Sequence, residues 1–393
     1  MLSRSVAAAA AVARVQARAM STGWAPLDAS KMVTKLTDKP KTKVAKEELK
    51  FGTTFTDHMV EVDWDNKNGW HAPEITPYHK IPIDPAASVL HYSLECFEGM
   101  KAYVDKEGNV RLFRPDMNMN RMHTSMLRLA LPDFDKNEWL ECIKQLIRVD
   151  KEWIPRGEGY SLYIRPTGIS THPFLGVGAS SQAKMFTILS PVGPYYPEGF
   201  APVTLYGEKR YVRAWPGGTG DTKVGANYGP TIQPQLQAAD RGYSQVLWLF
   251  GDQDGGQVTE VGIMNLFILW VNEEGEKELV TAALDGTILP GVTRDSILEL
   301  ARSWGEFKVT ERSVTMGEVT RAIESGRLIE AFGSGTAAVV APIKRVHFQG
   351  KDYPVPIEEE LQSGVTTKRV WDELKDIQYG NVEHPWSVVI DRL

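Results

Sequence analysis

The sequence predicts an α+β protein built as two mixed α/β domains. Three observations carry that expectation. At 393 residues the chain exceeds what one ordinary core accommodates, so it should divide. Strand-like and helix-like stretches follow one another without the strict alternation that a doubly wound parallel sheet requires. Between them lies "SPVGPYYPEGFAP", residues 190–202, whose four prolines and two glycines suit an interdomain linker.

Residues 1–20, "MLSRSVAAAAAVARVQARAM", contain Arg4, Arg14 and Arg18, and no acidic residue precedes Asp28. An Arg-rich, acid-free leader reads as a mitochondrial transit peptide. A secretory signal would follow the apolar run from Val6 to Ala13 with small uncharged residues instead of arginines. Residues 21–48 are polar and Lys-rich and read as an arm draped over the fold. The first domain is expected over 49–189. It opens on "FGTTFTDHMVEVDW", whose alternation predicts a strand. A short strand "VRLFRP" follows, then a helix in "DMNMNRMHTSMLRLAL" and an amphipathic helix "DKNEWLECIKQLIRVDKEWI" stopped by Pro155. Strands "SLYIRPTG" and "AKMFTILSPV" close it. The second domain, 203–393, carries strand-like "QVLWLF", "MNLFILWV" and "KELVTAAL". Its helix "GVTRDSILELARSWG" has a readable start: Pro290 and Gly291 precede it, Thr293 can cap, and Asp295 sits in the first turn.

Composition narrows the function. Hydrophobic residues make up 42% and charged residues 24%, so large cores can form. A net charge of −6 argues against nucleic acid or an anionic membrane as the main partner. No apolar stretch is long enough to span a bilayer. The two cysteines, Cys96 and Cys142, form no Cys-x-x-Cys pair, and the eight histidines show no metal spacing, so a protein-built metal site is not expected.

Four stretches carry chemistry. "GDTKVGANYGP", 220–230, sets Lys223 in a run of Gly, Asn and Pro that neither holds a helix nor fills a core. Such a lysine is either solvated decoration or, in a desolvated pocket, a nucleophile and base toward aldehydes. "GGQVTEVGIMNLFIL" puts Glu260 at the entry to a nearly continuous apolar run. There it either faces water at a strand mouth or is buried and must find a cation or donor. "FGSGTAA", 332–338, matches a dinucleotide fingerprint, but Pro342 leaves no room for the helix that must follow. It survives as a plain tight turn or as an anion-binding turn. "LPGVTRDS" offers a helix N-terminus to an anion, with Arg121 or Arg165 able to add a bidentate contact. A lysine for an imine, an acid for a pyridinium nitrogen and donors for a phosphate are the parts a pyridoxal phosphate enzyme requires.

The ordered motifs "FGTTFTDHMVEVDW", "LHYSLECFEGMKAY", "RLFRPDMNMNRM", "SLYIRPTG", "KVGANYGP", "TEVGIMNLF", "ILPGVTRDSIL" and "FGSGTAA" resemble the branched-chain amino acid aminotransferases, fold-type IV enzymes that use pyridoxal 5'-phosphate. The resemblance runs from about residue 50 to the C-terminal "QYGNVEHPW". It implies an active site between the two domains and reversible ping-pong transamination of leucine, isoleucine and valine with 2-oxoglutarate. Lys223 would be the catalytic lysine that carries the cofactor. Tyr228 would bond its phenolic oxygen, Glu260 its ring nitrogen, and Arg121, Val292, Thr293 and Thr336 its phosphate. Phe51, Tyr92, Tyr163, Tyr195 and Ala337 would line an aliphatic pocket, with Arg165 taking the distal carboxylate of glutamate. Val177 would reach in from the second subunit of a homodimer. Two departures stand out: Ala338 and Ala341 occupy a redox Cys-x-x-Cys of some animal members, and Ile263 replaces a hydroxyl residue. The rival readings are a D-amino acid aminotransferase, an aminodeoxychorismate lyase and a non-catalytic vitamin-B6-binding protein.

Overall fold

A computed structural model describes residues 23–194 and 200–393. The predicted leader, 1–20, lies outside the described residues. Two sheets make up the fold. The first is built from β1 (Val33–Thr34), β2 (His58–Asp65), β3 (Gly69–Trp70), β4 (Glu74–Pro77), β5 (Glu95–Phe97), β6 (Met100–Val104), β7 (Asn109–Phe113), β8 (Ser161–Ser170) and β9 (Gln182–Val192). Its order is β1-β4-β2-β9-β8-β6-β7, with β3 on β2 and β5 on β8. The long β8–β9 ladder is antiparallel, from Ser161 opposite Val192 to Ser170 opposite Ala183. A short helix α1 (Ser88–Tyr92) precedes β5, and α2 (Pro115–Arg128) and α3 (Lys136–Val149) follow β7. The buried faces of these two long helices, Met119, Met122 and Met126 with Trp139, Ile143 and Leu146, close the first core.

Asp135 caps α3 by accepting from the Asn137 and Glu138 N–H groups. The helix ends at Val149, short of the expected stop at Pro155. The Asp150 carboxylate instead accepts from His58, 2.9 Å from its backbone N and 2.7 Å from its Nδ1, and residues 151–153 form one tight turn. The polar arm is tied down where Leu27 and Ala29 join the first core and Val33–Thr34 pairs with β4.

The second sheet comprises β10 (Val203–Glu208), β11 (Gln245–Phe250), β12 (Gln257–Val261), β13 (Met264–Val271), β14 (Lys277–Thr281), β15 (Lys308–Glu311), β16 (Leu328–Gly335), β17 (Val339–Phe348) and β18 (Lys351–Pro354). The order is β12-β11-β10-β17-β16-β13-β14-β15, and β12 also pairs with β13, so six strands close on themselves. Helices α4 (Ile232–Asp240), α5 (Val292–Trp304), α6 (Met316–Glu324) and α7 (Val365–Gln378) accompany them. The last strand, β19 (Ser387–Arg392), crosses back and pairs antiparallel with β7 of the first sheet. The span 203–393 therefore lends its final strand to the other sheet. No alternation in that segment announces this, because β19 has no residue buried on either face.

A shared apolar cluster fixes the two sheets to each other. Tyr103 and Phe113 of the first share a cluster with Phe332 of the second, Val292 and Ile297 of α5, and Val370 and Leu374 of α7. Among the described residues no helix is long and apolar enough to cross a membrane.

Candidate active site

The Lys223 segment lies along the seam between the sheets. Gly225–Asn227 and Gly229–Thr231 form two tight turns, the second leading directly into α4. Asn227 holds them, accepting from Thr219 Oγ1 and donating to the Thr219 and Thr222 carbonyls. The Lys223 carbonyl accepts from Phe97 N at 3.0 Å, and Cys96 bridges to Val224, which stitches the loop to β5. Lys223 N donates to Ser125 Oγ of α2. The Glu95 carboxyl packs directly over Gly225 and would have to move aside for any side chain there. With its backbone pinned from both sides, Lys223 points its ammonium at Tyr228 Oη, 3.1 Å away, over the Phe97 ring.

Glu260, at the end of β12, is 1% exposed, which removes the water-facing reading. Arg213 Nε forms an ion pair with its Oε2 at 2.8 Å, while Leu289 N at 2.8 Å and Asn265 Nδ2 at 3.2 Å donate to Oε1. Burial pushes the carboxyl above its ordinary range, opposed by the Arg213 charge, the Leu289 N–H and the charges of Lys223 and Arg121.

The helix start lies next to it. Gly291 is the N-cap of α5 and no side chain caps the helix. The expected Thr293 cap is thus corrected: Thr293 lies inside the first turn, buried together with Val292. The first N–H groups of a helix have no intrahelical acceptor, so this buried start presents free donors. Arg121 Nη1 donates to the Pro290 carbonyl at 3.0 Å, bringing its guanidinium to the same place. Its Nε and Nη2 are held by Glu98 at 2.6 and 2.8 Å. Burial alone would raise Glu98, yet Arg121's charge and hydrogen bonds, with Lys223 and Asn118, bring it below its ordinary value. Thr336 sits in the 336–338 turn that joins antiparallel β16 and β17. The preceding Ser334 hydroxyl is buried without a partner.

A wall of aromatic rings and one arginine adjoins Lys223. Arg165 lies over the Phe97 and Tyr163 rings at 4.8 and 5.2 Å, and its Nη2 donates to Tyr163 Oη at 3.0 Å. Its Nε is buried and has no hydrogen-bond partner among the described residues. Phe51 packs edge-on against Tyr163. Ala337 caps the turn beside Thr336. Tyr92 and Val177 stand apart and exposed, Val177 at 85%, and Tyr92 Oη donates to the Leu175 carbonyl. Tyr195 lies outside the described residues.

Glu98, Arg213, Asn265 and Phe97 escaped the sequence reading. A buried Glu260 requires a cation, which was a usable signal, but nothing in the spacing singles out Arg213. The cysteines are both buried and free. Burial raises both thiols, Cys142 to about 12, so neither is a ready thiolate.

Residues 95–346 match the family described as Amino-transferase class IV. The chain is 57% identical over 358 residues to a branched-chain-amino-acid aminotransferase of Dictyostelium discoideum, covering 91% of this chain and 92% of that protein. It is 53% identical to the cytosolic form of Mus musculus, covering 86% and 87%, and 51% identical to the mitochondrial form of Rattus norvegicus, covering 95% and 94%. Its fold is similar to that of the branched-chain amino acid aminotransferase of Thermobaculum terrenum in its PLP form, with a TM-score of 0.65, 23% identity, and 86% and 99% of the two chains covered.

Proposed function

The chain belongs to the class IV amino-transferases, and from that premise we infer that it transfers amino groups between branched-chain amino acids and 2-oxoglutarate, with pyridoxal 5'-phosphate as cofactor. The observation that carries the reading at the level of residues is the pinned Lys223 Nζ, 3.1 Å from Tyr228 Oη, with the buried Glu260 close enough to feel its charge.

The residues fit the cofactor. The uncapped helix start at Val292 and Thr293, the Thr336 hydroxyl and the unpartnered Ser334 hydroxyl offer neutral donors to a phosphate, and Arg121 keeps hydrogens that Glu98 and Pro290 do not use. Glu260 would hold the ring nitrogen, because a buried carboxylate raised by burial gains most from a second cation. When bound, pyridoxal phosphate supplies the electron sink for bond breaking at the substrate's α-carbon. Lys223 Nζ would hold the cofactor and would be the group positioned to take the substrate's α-proton and return it. Tyr228 Oη orients that ammonium. Phe51, Tyr163 and Ala337 present apolar surface to an aliphatic side chain. Arg165, whose Nε has no hydrogen-bond partner among the described residues, would take the distal carboxylate of glutamate. Removing that carboxylate from water makes one arginine decisive for the second substrate.

The division at 190–202 into two domains is part of this proposal, as is a homodimer. Leu90, Tyr92, Phe174, Leu175 and Val177 form an exposed apolar surface that a second copy would cover, which is where Val177 would enter the neighbouring site. A mitochondrial location rests on the composition of the leader, since relatives include mitochondrial and cytosolic forms.

The test is a half-reaction. Leucine, isoleucine and valine should each shift the absorbance of the yellow protein, 2-oxoglutarate should restore it, and the D-isomers should do neither. Lys223→Ala should lower turnover by at least about a thousandfold. A Lys223→Ala protein that still transaminated at the wild-type rate would sink the assignment.

A further inference from the structure

Glu95 is a titratable group at the seam to which the reaction as derived above gives no role. It lies on β5, which is held on one side by β8, with Glu95 opposite Ile169 and Phe97 opposite Thr167, and on the other by the lysine loop through Cys96 and Val224. Alternation puts Glu95 and Phe97 on one face of the sheet with their partners on β8, and Arg165 continues that face two residues from Thr167. The Arg165 guanidinium lies over the Phe97 ring at 4.8 Å, and the Glu95 carboxyl lies over Gly225. That carboxyl is half-buried and accepts no hydrogen bond among the described residues. Burial pushes it above its ordinary range, and the charge of Arg165 opposes the rise. The two groups therefore stand within electrostatic reach of each other and form no ion pair.

We propose, resting on the reading of Arg165 above, that Glu95 is a specificity-determining residue that sets how the site divides its affinity between aliphatic and dicarboxylate substrates. The same pocket must take an aliphatic side chain in one half-reaction and a second carboxylate in the other. An aliphatic chain strips water from Arg165, and a guanidinium left without water or counter-charge is costly. Glu95 supplies the counter-charge, and its attraction strengthens as water leaves. A dicarboxylate brings its own anion to Arg165. Glu95 then competes for the same cation and repels the arriving charge. Because the pair makes no direct bond, Glu95 biases Arg165 without taking up its donors. One carboxylate thus favours the aliphatic substrate and weakens the acidic one, so that neither half-reaction monopolises the pocket.

The test is the apparent Kd of each substrate in single-turnover half-reactions of the holoenzyme. Glu95→Gln should tighten 2-oxoglutarate and weaken leucine, each by about three- to fivefold, the scale of a partly exposed charge pair. Glu95→Asp, which keeps the charge and withdraws it by one methylene, should fall between wild type and Glu95→Gln for both substrates. The leucine effect should vanish in an Arg165→Met background, because Glu95 acts through that arginine. Opposite movement of the two constants is what a loss of packing would not produce. The proposal is overturned if Glu95→Gln leaves both constants in place, moves them in the same direction, or weakens leucine equally with and without Arg165. Arg165→Met alone tests the underlying reading, since it should weaken 2-oxoglutarate far more than leucine. An unchanged 2-oxoglutarate constant in that variant would overturn the role of Arg165, and that of Glu95 with it.

Discussion

Two buried carboxylates flank the seam, each with an arginine, and they are solved differently. Glu98 receives Arg121 through two prongs, at 2.6 and 2.8 Å, and two further donors, Asn118 Nδ2 at 2.8 Å and Gly99 N at 3.2 Å. Glu260 faces a single Arg213 nitrogen as an ion pair and receives two neutral donors. Both are shut off from water, yet Glu98 lies below its ordinary pKa and Glu260 above it. A two-pronged guanidinium compensates a carboxylate that a single prong leaves short. The first pair is complete as folded and acts as a clamp behind the helix start. The second is under-compensated, and a protonated ring nitrogen is what would complete it.

The largest effect should come from breaking the complete pair. Arg121→Met strands a fully buried Glu98, and losing one partner of such a pair costs about 3–5 kcal/mol of stability. Urea unfolding should show it, and the double variant with Glu98→Gln should recover part of the loss because no unpaired charge remains. A single variant as stable as wild type would show that Glu98 and Arg121 are not the self-sufficient pair described.

Glu260→Gln should do the opposite: keep the fold, since the neutral amide retains hydrogen-bonding capacity, and slow the chemistry. The expected fall in the leucine half-reaction is on the order of 100-fold, the scale of losing one preorganised electrostatic partner. Unchanged turnover would mean that the incomplete pair is merely structural.

Arg213 sharpens the contrast further. Arg213→Met should leave Glu260 protonated, slow turnover on the order of tenfold and move the visible absorbance of the bound cofactor. Arg213→Lys should restore part of both, because a lysine supplies the charge without the planar guanidinium. If the absorbance stays fixed in Arg213→Met, Arg213 has no hold on the state of Glu260.

The same contrast explains what was legible in the sequence. Helix α5 and strands β2, β8 and β9 follow from periodicity and punctuation, and β13, buried on both faces, from its continuous apolar run. Lys223 and Glu260 stood out as a lysine where no core needs it and an acid where a core forbids it. Their partners did not. Arg213 meets Glu260, and Arg121 meets Glu98, only because the closed second sheet and the α2 face bring them together, and such long-range pairing has no period. The return of β19 to the first sheet was hidden for the same reason.

The smallest effect is a difference in slope, and it separates the two carboxylates most cleanly. Glu98, held below 4.5, binds fewer protons folded than unfolded in the window beneath that value. Its contribution to stability is therefore fully present above 4.5 and is lost as pH falls through the folded value. Glu260, held above 4.5, keeps its proton in the folded chain after the unfolded chain has released it. Wild type should therefore lose stability relative to Glu260→Gln as pH rises from 4.5 to the folded value, whereas it should gain relative to Glu98→Gln as pH rises toward 4.5. Urea midpoints of the three cofactor-free proteins across this range would give slopes of opposite sign. Adding cofactor should flatten the Glu260 slope alone, because a ring cation beside Glu260 removes the reason for its raised pKa and leaves Glu98, already paired, untouched. Parallel slopes for the two variants would show that the single-pronged and two-pronged pairs are electrostatically equivalent, and the argument for a waiting cation site at Glu260 would fail with them.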